Sequence, residues 1–426
     1  MRAMSTTSPT HRAIDAVWRI ESARVIAGLA RMLRDLDLAE ELAQDALVAA
    51  LETWPRDGVP DNPGAWLMTT AKRRAIDRLR RLQLLDRKHE ELARELEDIQ
   101  DERRARDEDA LDHDIDDDLL RLVFVACHPV LSMEARVALT LRLLCGLTTD
   151  EIARAFLAAE PTVAQRIVRA KRTLADADVA FEVPRGDALH ERLESVLGVV
   201  YLVFNEGYAA TSGGDWVRPA LCEEALRLGR MLAALTPREP EVHGLVALME
   251  IQASRLHARV GKDGEAVLLL DQDRSRWDQL LIRRGLEALA RAEQLGGAFG
   301  PYALQAAIAA CHARARTADE TDWPRIAALY AALARVNPSP VVELNRAVAV
   351  SMASGAESAL PLVDRLQDDP AMKYYHLLPS VRGDLLSKLG RHDEARAEFE
   401  RAAAMTRNAR EQSLLLARAR ECALAG

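Results

Sequence analysis

Aromatic residues are scarce in this 426-residue sequence, at 4%, and β-branched runs are rare, whereas Ala, Leu, Arg and Glu dominate. Such a composition favours helices over strands. The five cysteines are scattered without a CxxC pair, which argues against a disulfide framework and is typical of a reducing compartment. There is no run of about 18 apolar residues and no N-terminal apolar segment, so we expect neither a membrane span nor a secretory signal. We therefore predict an all-α, cytoplasmic protein.

Basic residues are not in excess either, because the formal net charge is −9. Any nucleic-acid binding must therefore come from local basic patches. The sequence contains no convergent acid–base pair and no phosphate-binding glycine loop, so we predict that the protein is not an enzyme. His243, Glu250 and His257 are spaced by seven residues, and a helix separates such positions by about 10.5 Å, too far for one metal ion. We expect no metal or other cofactor.

The most informative basic patch is Asn62–Arg81, NPGAWLMTTAKRRAIDRLRR, where Asn62 and Pro63 mark the start of a helix. One side of this helix is apolar. The other side, the basic face, consists of Trp66, Thr69, Thr70, Arg73, Arg74, Asp77, Arg80 and Arg81. Cations, hydroxyls and an aromatic ring are the groups that hold phosphates and stack on unpaired bases. An ordinary helix with a solvated basic face would show the same pattern.

Two segments flank this helix. Upstream, the segment Asp37–Trp54 predicts an amphipathic helix that begins at Asp37. Its exposed acidic face carries Glu40, Glu41, Gln44 and Asp45. The loop between the two helices, Pro55–Pro63, contains three prolines and a glycine and is predicted to be non-helical. Downstream, Glu90–Asp118 is strongly acidic and is interpreted as a solvated linker, the alternative being a mimic of nucleic acid that shields the basic helices.

A second helical unit, Leu119–Ala177, ends in a predicted helix-turn-helix. Thr148 and Glu151 form a capping box on its first helix, and Pro161 starts the second after a short turn. The apolar side of the second helix carries Val163, Ile167, Ala170 and Leu174. Its other side, the recognition face, carries Thr162, Gln165, Arg166, Arg169 and Arg172. These residue types read base edges in a major groove, although purely structural helix pairs look similar.

From Pro184 onward the chain is predicted to be helical. The small-and-aromatic spacing of a tetratricopeptide (TPR) repeat predicts three hairpins at about 307–340, 341–375 and 376–409, followed by a capping helix at Glu411–Leu424. Each hairpin would bury small residues against its neighbour and leave a concave face for a partner. The charged segment Asp271–Trp277, DQDRSRW, is either a buried ion-pair cluster or a contact point.

Taken in order, the motifs of the first 180 residues resemble an extracytoplasmic-function (ECF) sigma factor of the sigma-70 family. Asp37–Trp54 resembles region 2.2, which docks on core RNA polymerase, and Asn62–Arg81 resembles regions 2.3 and 2.4, which melt and read the −10 promoter element. Ser132–Leu174 resembles region 4, whose helix-turn-helix reads the −35 element. The sequence departs from the family at Arg73, where Asn is frequent, and in the turn AAEP, where glycine is usual. The rest resembles the TPR-containing extension of one subgroup.

This resemblance implies region 2 at 10–84, an acidic linker at 85–117, region 4 at 118–180 and a helical extension at 185–426. It implies a sigma factor with core RNA polymerase and promoter DNA as partners. Asp37 and the acidic face would bind polymerase, the basic face the −10 element and the recognition face the −35 element. The extension would be regulatory, contacting a partner protein or the first two domains. The alternative is a non-sigma helix-turn-helix regulator with a repeat sensor, which would not need the acidic helix.

Overall fold

The computed structural model describes residues 9–85, 108–156, 158–208, 217–261, 267–406 and 409–425. Regular secondary structure in these ranges consists of helices, which confirms the predicted all-α class. The chain forms two compact units, Met1–Val200 and Tyr201–Gly426. Across the described ranges, every helix is either too short or too polar to cross a bilayer.

The first unit is built around its N-terminal helix, α1, which contacts four others. Gly28 of α1 lies where a Cβ atom would come within 2.9 Å of Met68 Cε, so the two helices that carry these residues approach closely. The helices of this unit are α1 (Pro9–Leu33), α2 (Leu36–Asp57), α3 (Pro63–Leu85), α4 (Glu108–Ala126), α5 (Met133–Leu143), α6 (Thr149–Ala155), α7 (Glu160–Asp176) and the first part of α8 (Asp187–Tyr208).

Helix α2 extends three residues further than predicted, to Asp57, with Pro55 inside its last turn. The prediction that the whole of Pro55–Pro63 is non-helical is therefore wrong for residues 55–57. A proline in the last turn removes only one hydrogen bond, and Gly58, whose φ is +88°, ends the helix by donating to the Trp54 carbonyl at 3.0 Å.

Helix α4 begins inside the acidic segment, at Glu108, so the predicted linker over 85–117 is wrong for residues 108–117. Its C-terminal half is fixed by tertiary packing, because Leu119, Leu122 and Phe124 are buried. Once such a helix is nucleated, extending it upstream costs little even through acidic residues. The earlier part of that segment lies outside the described residues.

Predicted regions 2 and 4 belong to one compact unit rather than to two separate domains. The first compact unit extends past the predicted boundary at 185, because α8 packs on this unit as far as Val200. Arg192 donates to the Phe124 carbonyl at 2.7 Å, and Ser195 donates to the Cys127 carbonyl at 2.6 Å while accepting from Arg136. These bonds lie between helices that are distant in sequence, which periodicity alone does not reveal.

The second unit consists of the rest of α8, which runs to Tyr208, and of a series of further helices. They are α9 (Pro219–Leu235), α10 (Pro240–Ala253), α11 (Gln279–Gln294), α12 (Pro301–Arg314), α13 (Trp323–Val336), α14 (Pro340–Ser354), α15 (Ala356–Asp364), α16 (Leu377–Lys388), α17 (His392–Met405) and α18 (Ala409–Ala425). Residues 209–216 lie outside the described part of the chain.

Helices α12 to α17 form consecutive hairpins near the predicted positions, and α18 packs on α17. The hairpin of α16 and α17 shows why small residues are needed there. A Cβ atom at Gly383 would lie 3.0 Å from Phe399 Cε1, and Ala395 and Ala402 are fully buried. The succession of hairpins thus follows the predicted pattern, while their assignment as TPR repeats stays a prediction.

Candidate nucleic-acid interface

Helix α3 presents the basic face because its opposite side is committed to the core. The Asn62 side chain accepts a hydrogen bond from the Ala65 amide at 3.0 Å, which confirms the predicted cap. Leu67, Ala71 and Ala75 are buried as the apolar side predicts. Their burial fixes the rotation of α3, and the polar residues between them consequently point outward.

On the basic face, Thr69, Arg73, Asp77 and Arg80 are exposed, and Thr70 and Arg74 are half-buried. The side chain of Arg81 lies outside the described residues. Arg74 Nη1 lies 3.4 Å from Asp45 Oδ2 of α2, and both side chains are partly exposed. A surface pair of this kind contributes at most about 1 kcal/mol, so a phosphate could replace Asp45 at little cost.

The Trp66 side chain is partly buried and partly accessible to solvent. Its ring meets that of Trp54 edge to face, with centroids 5.3 Å apart and planes at 69°. Trp54 is buried, whereas Trp66 is half-buried. Part of the Trp66 side chain therefore packs inward, and the remainder is accessible on the basic face.

The helix-turn-helix is formed by α6 and α7. Thr148 and Glu151 make the predicted capping box, with both reciprocal hydrogen bonds present. Helix α7 starts at Glu160, one residue earlier than predicted, and Pro161 occupies its first turn. In the turn AAEP the N-cap is Ala159, whose methyl group accepts no hydrogen bond, so the prolyl ring supplies the pre-organisation instead.

The recognition face of α7 is accessible. The predicted apolar residues Val163, Ile167, Ala170 and Leu174 are all buried. Opposite them, Thr162, Gln165, Arg169 and Arg172 are exposed and Arg166 is half-buried. Arg172 Nε lies 3.5 Å from Asp176 Oδ2, one turn further along the helix. This surface offers a row of hydrogen-bond donors of the kind that reads base edges in a major groove.

The acidic face of α2 differs from the prediction at Glu40. Glu41 is exposed and Gln44 and Asp45 are half-buried, but Glu40 is only 6% exposed, so its predicted exposure is wrong. Its carboxylate accepts from Arg142 Nε at 2.6 Å and lies 2.5 Å from Lys171 Nζ. A carboxylate is tolerated in such a place because two cations compensate for its lost hydration.

Lys171 and Arg142 are the residues that sequence reasoning missed. The Lys171 side chain is 9% exposed and also contacts Asp37 Oδ1 at 2.7 Å, so α7 of predicted region 4 lies on α2 of predicted region 2. Lys171 lies on α7 between the recognition face and the apolar side. A lysine at such an edge usually extends into solvent, so nothing in the sequence indicates a partner more than 130 residues away.

Three further contacts join the two predicted regions. Arg19 lies 3.0 Å from Glu151, and Arg31 lies 3.0 Å from the buried Asp118. Burial, followed by the charge of Arg31, lowers the pKa of Lys72, while Asp118 opposes this shift. At Gly146, whose φ is +66°, a Cβ atom would lie 2.9 Å from Ser22 Oγ. The interface is therefore close-packed and charged on both sides.

Comparison with known proteins supports the assignment of these faces to two separate family motifs. Residues 19–84 match the family described as Sigma-70 region 2, and residues 121–174 match Sigma-70, region 4. Residues 192–293 match a family of unknown function, DUF6596. Over 394 residues the chain is 45% identical to "Uncharacterized protein R00370" of Rhizobium meliloti (strain 1021), which covers 92% of each sequence.

Proposed function

We propose that this chain, which belongs to the sigma-70 family of sigma factors, is an ECF-type factor that binds core RNA polymerase in the cytoplasm and directs promoter-specific initiation. The observation that carries the proposal is the pair of accessible, cation-bearing faces on α3 and α7, within the segments that match regions 2 and 4. The chain itself supplies recognition, and the polymerase performs the chemistry.

Each face has a distinct task in this proposal. Arg73, Arg74, Arg80 and Arg81 hold backbone phosphates at the −10 element, where Trp66 or the preceding loop receives an unstacked base. The recognition face enters the major groove at the −35 element, where Gln165 and Arg169 present donors to base edges. Because neither face alone needs to be strong, joining them in one chain raises the overall affinity through effective concentration.

Polymerase binding is assigned to Asp37 and the acidic face of α2. Glu41 is exposed and available, but Asp37 and Glu40 are held by Lys171 in this structure. Complete use of the face therefore requires α7 to leave α2, and we propose that the structure is the closed form of the factor. The extension would act as a regulatory or protein-interaction module, with its hairpins as TPR-type repeats offering a concave surface.

Transcription in vitro with core polymerase tests the proposal. The full chain should produce initiation from its own promoter, and Arg169→Ala should weaken promoter binding by about 1–3 kcal/mol because it removes a base-edge or phosphate contact. Arg291→Ala, an exposed arginine of α11, is the matched control and should leave binding unchanged.

The absence of promoter-specific initiation would contradict the proposed function. Specific DNA binding without polymerase, together with polymerase binding that survives charge reversal at Glu41 and Asp45, would instead favour the helix-turn-helix regulator. The two functions differ in whether the acidic face of α2 is needed to bind polymerase.

The closed form is tested by Lys171→Met, with Arg172→Met as the neighbouring control. Removing the Lys171 charge weakens the contact with α2, so the affinity for core polymerase should rise, measured by fluorescence anisotropy. Arg172 is exposed on the recognition face. Its replacement should leave polymerase affinity unchanged. The slope of log affinity for DNA against log salt concentration should become shallower by the amount expected for about one phosphate contact. Equal polymerase affinities for Lys171→Met and the parent chain would contradict the closed form.

A further inference from the structure

Three arginines converge on two aromatic rings in the second unit. Arg259 Cζ lies 3.9 Å from the ring centroid of Tyr208, and Arg255 Cζ lies 5.8 Å from the same ring. Arg255 and Arg274 also approach Trp277, at 5.6 and 5.1 Å. Both rings are buried. Stacking of this kind orients a guanidinium group but provides only a weak substitute for a counter-ion.

Arg274 has well-defined acceptors, and none of them is charged. It donates to the carbonyls of His312 and Ala315 at 2.8 and 2.9 Å and to the Thr321 hydroxyl at 3.0 Å. For Arg274, the hypothesis that DQDRSRW is a buried ion-pair cluster is therefore wrong. Burial, followed by the nearby charges of Arg255 and Arg274, lowers the pKa of His312 to about 4, so at neutral pH this imidazole adds no charge.

Arg255 and Arg259 have no counter-charge in the part of the chain that the structure describes. Among the described residues, no carboxylate oxygen lies within the 4.0 Å salt-bridge distance of either guanidinium group, and the buried Nε atoms of both lack an acceptor. Both arginines are half-buried, and the neighbouring Gln272, which is buried, has an unpartnered Oε1. Removing part of a cation from water without a counter-charge is unfavourable, so two half-buried arginines on the same ring indicate that an anion completes this part of the structure.

A cavity of about 430 Å³ opens beside these groups, a size suited to a small ligand. Its lining includes Arg255, Arg259 and Gln272, together with Leu269, Leu377 and Leu415. Two further charged residues in the wall are already engaged. Glu411 contacts His376 and Thr406, and Arg418 pairs with Asp384. The cavity wall thus combines two arginines that lack a charged partner among the described residues with several leucine side chains.

We propose that this cavity binds a small amphiphilic anion, with its carboxylate or phosphate head on Arg255 and Arg259 and its aliphatic body on the leucine side chains. Forked guanidinium donors suit both head groups, since each presents two oxygens in one plane. The site belongs to the extension, so the anion is a candidate for the signal that the extension receives. Its binding requires neither polymerase nor promoter DNA, and the site is therefore tested independently of the proposed function.

Calorimetric titration of the full chain with four probes tests the site. Octanoate and octyl phosphate present the two head groups on one aliphatic body, octanol lacks the charge, and inorganic phosphate lacks the body. We expect octanoate, octyl phosphate or both to bind, with octanol and inorganic phosphate at least about tenfold weaker. Equal affinity for octanol, or no binding of either octyl anion, would overturn the proposal.

Variants separate a ligand-binding role for Arg259 from a structural one. Arg259→Met should bind the octyl anion at least about tenfold more weakly, whereas Arg284→Met, at an exposed position of α11, should bind like the parent. Without ligand, Arg259→Met should melt no earlier than the parent, because it removes an uncompensated cation. If Arg259→Met does not fold, Arg255→Gln replaces it, and this variant should likewise bind the octyl anion at least about tenfold more weakly than the parent. Unchanged affinity in the folded variant would overturn the assignment.

Discussion

Replacing Glu40 by alanine is expected to lower the free energy of unfolding of the first unit by about 3–5 kcal/mol. The change would leave Arg142 and Lys171 facing one another at a close-packed interface without their shared carboxylate. Loss of one partner from a buried ion cluster typically has this cost, because Arg142 loses the carboxylate that it contacts and Lys171 keeps only the exposed Asp37. Urea denaturation followed by circular dichroism gives the free energy directly.

Glu41→Ala is the matched control for Glu40→Ala. Glu41 is the next residue of the same helix and is exposed, so its replacement should change stability by no more than about 0.5 kcal/mol. Equal effects of the two substitutions would mean that Glu40 is not part of a buried ion cluster. The pair also separates two roles on α2, because lost polymerase binding in Glu41→Ala cannot be attributed to a weakened fold.

Truncation after Val183 is expected to destabilise the first unit far more than truncation after Val200. The shorter chain loses the first part of α8, including the hydrogen bonds of Arg192 and Ser195 to carbonyls of the first unit. It also loses buried apolar side chains, among them Leu193 and Val196. Together these losses should lower the free energy of unfolding by at least about 3 kcal/mol relative to the longer fragment.

Denaturation of the two fragments measures this difference, and transcription by the 1–200 fragment shows what the extension contributes. The 1–183 fragment would confound the two effects, because lost activity could follow from lost stability alone. Identical unfolding midpoints would contradict the placement of α8 on the first unit. Unchanged activity and stability of the 1–200 fragment, compared with the full chain, would exclude a regulatory or stabilising role for the extension.

Helical periodicity predicted the buried sides of α3 and α7 correctly, because apolar burial depends mainly on local sequence pattern. Leu67 and Ala71 of α3, and Val163 and Ile167 of α7, lie in the core as predicted. The capping box at Thr148 was equally predictable, since both of its partners lie within four residues. The polar surfaces that these helices present follow by elimination.

The same periodicity failed at Glu40, because it separates polar from apolar sides but does not distinguish water from a cationic partner. Lys171 and Arg142 are distant in sequence and reach Glu40 only after the helices have packed. The start of α4 was missed for a related reason. Its acidic first turns resemble a linker, and tertiary contacts of Leu122 and Phe124 decide that they are helical.

The edge-to-face contact of Trp66 with Trp54 has a consequence for the proposed role of Trp66 at the −10 element. If Trp66 receives a flipped base, it must give up at least part of this contact, which is worth about 0.5–1.5 kcal/mol. Losing this contact makes strand opening less favourable by the same free energy. The equilibrium constant for open-complex formation would therefore fall by a factor of up to about ten. Promoters whose −10 bases unstack readily would still open despite this free-energy cost, whereas promoters with a poorly matched −10 element would remain closed. The aromatic pair would therefore make initiation more stringent without reading any base.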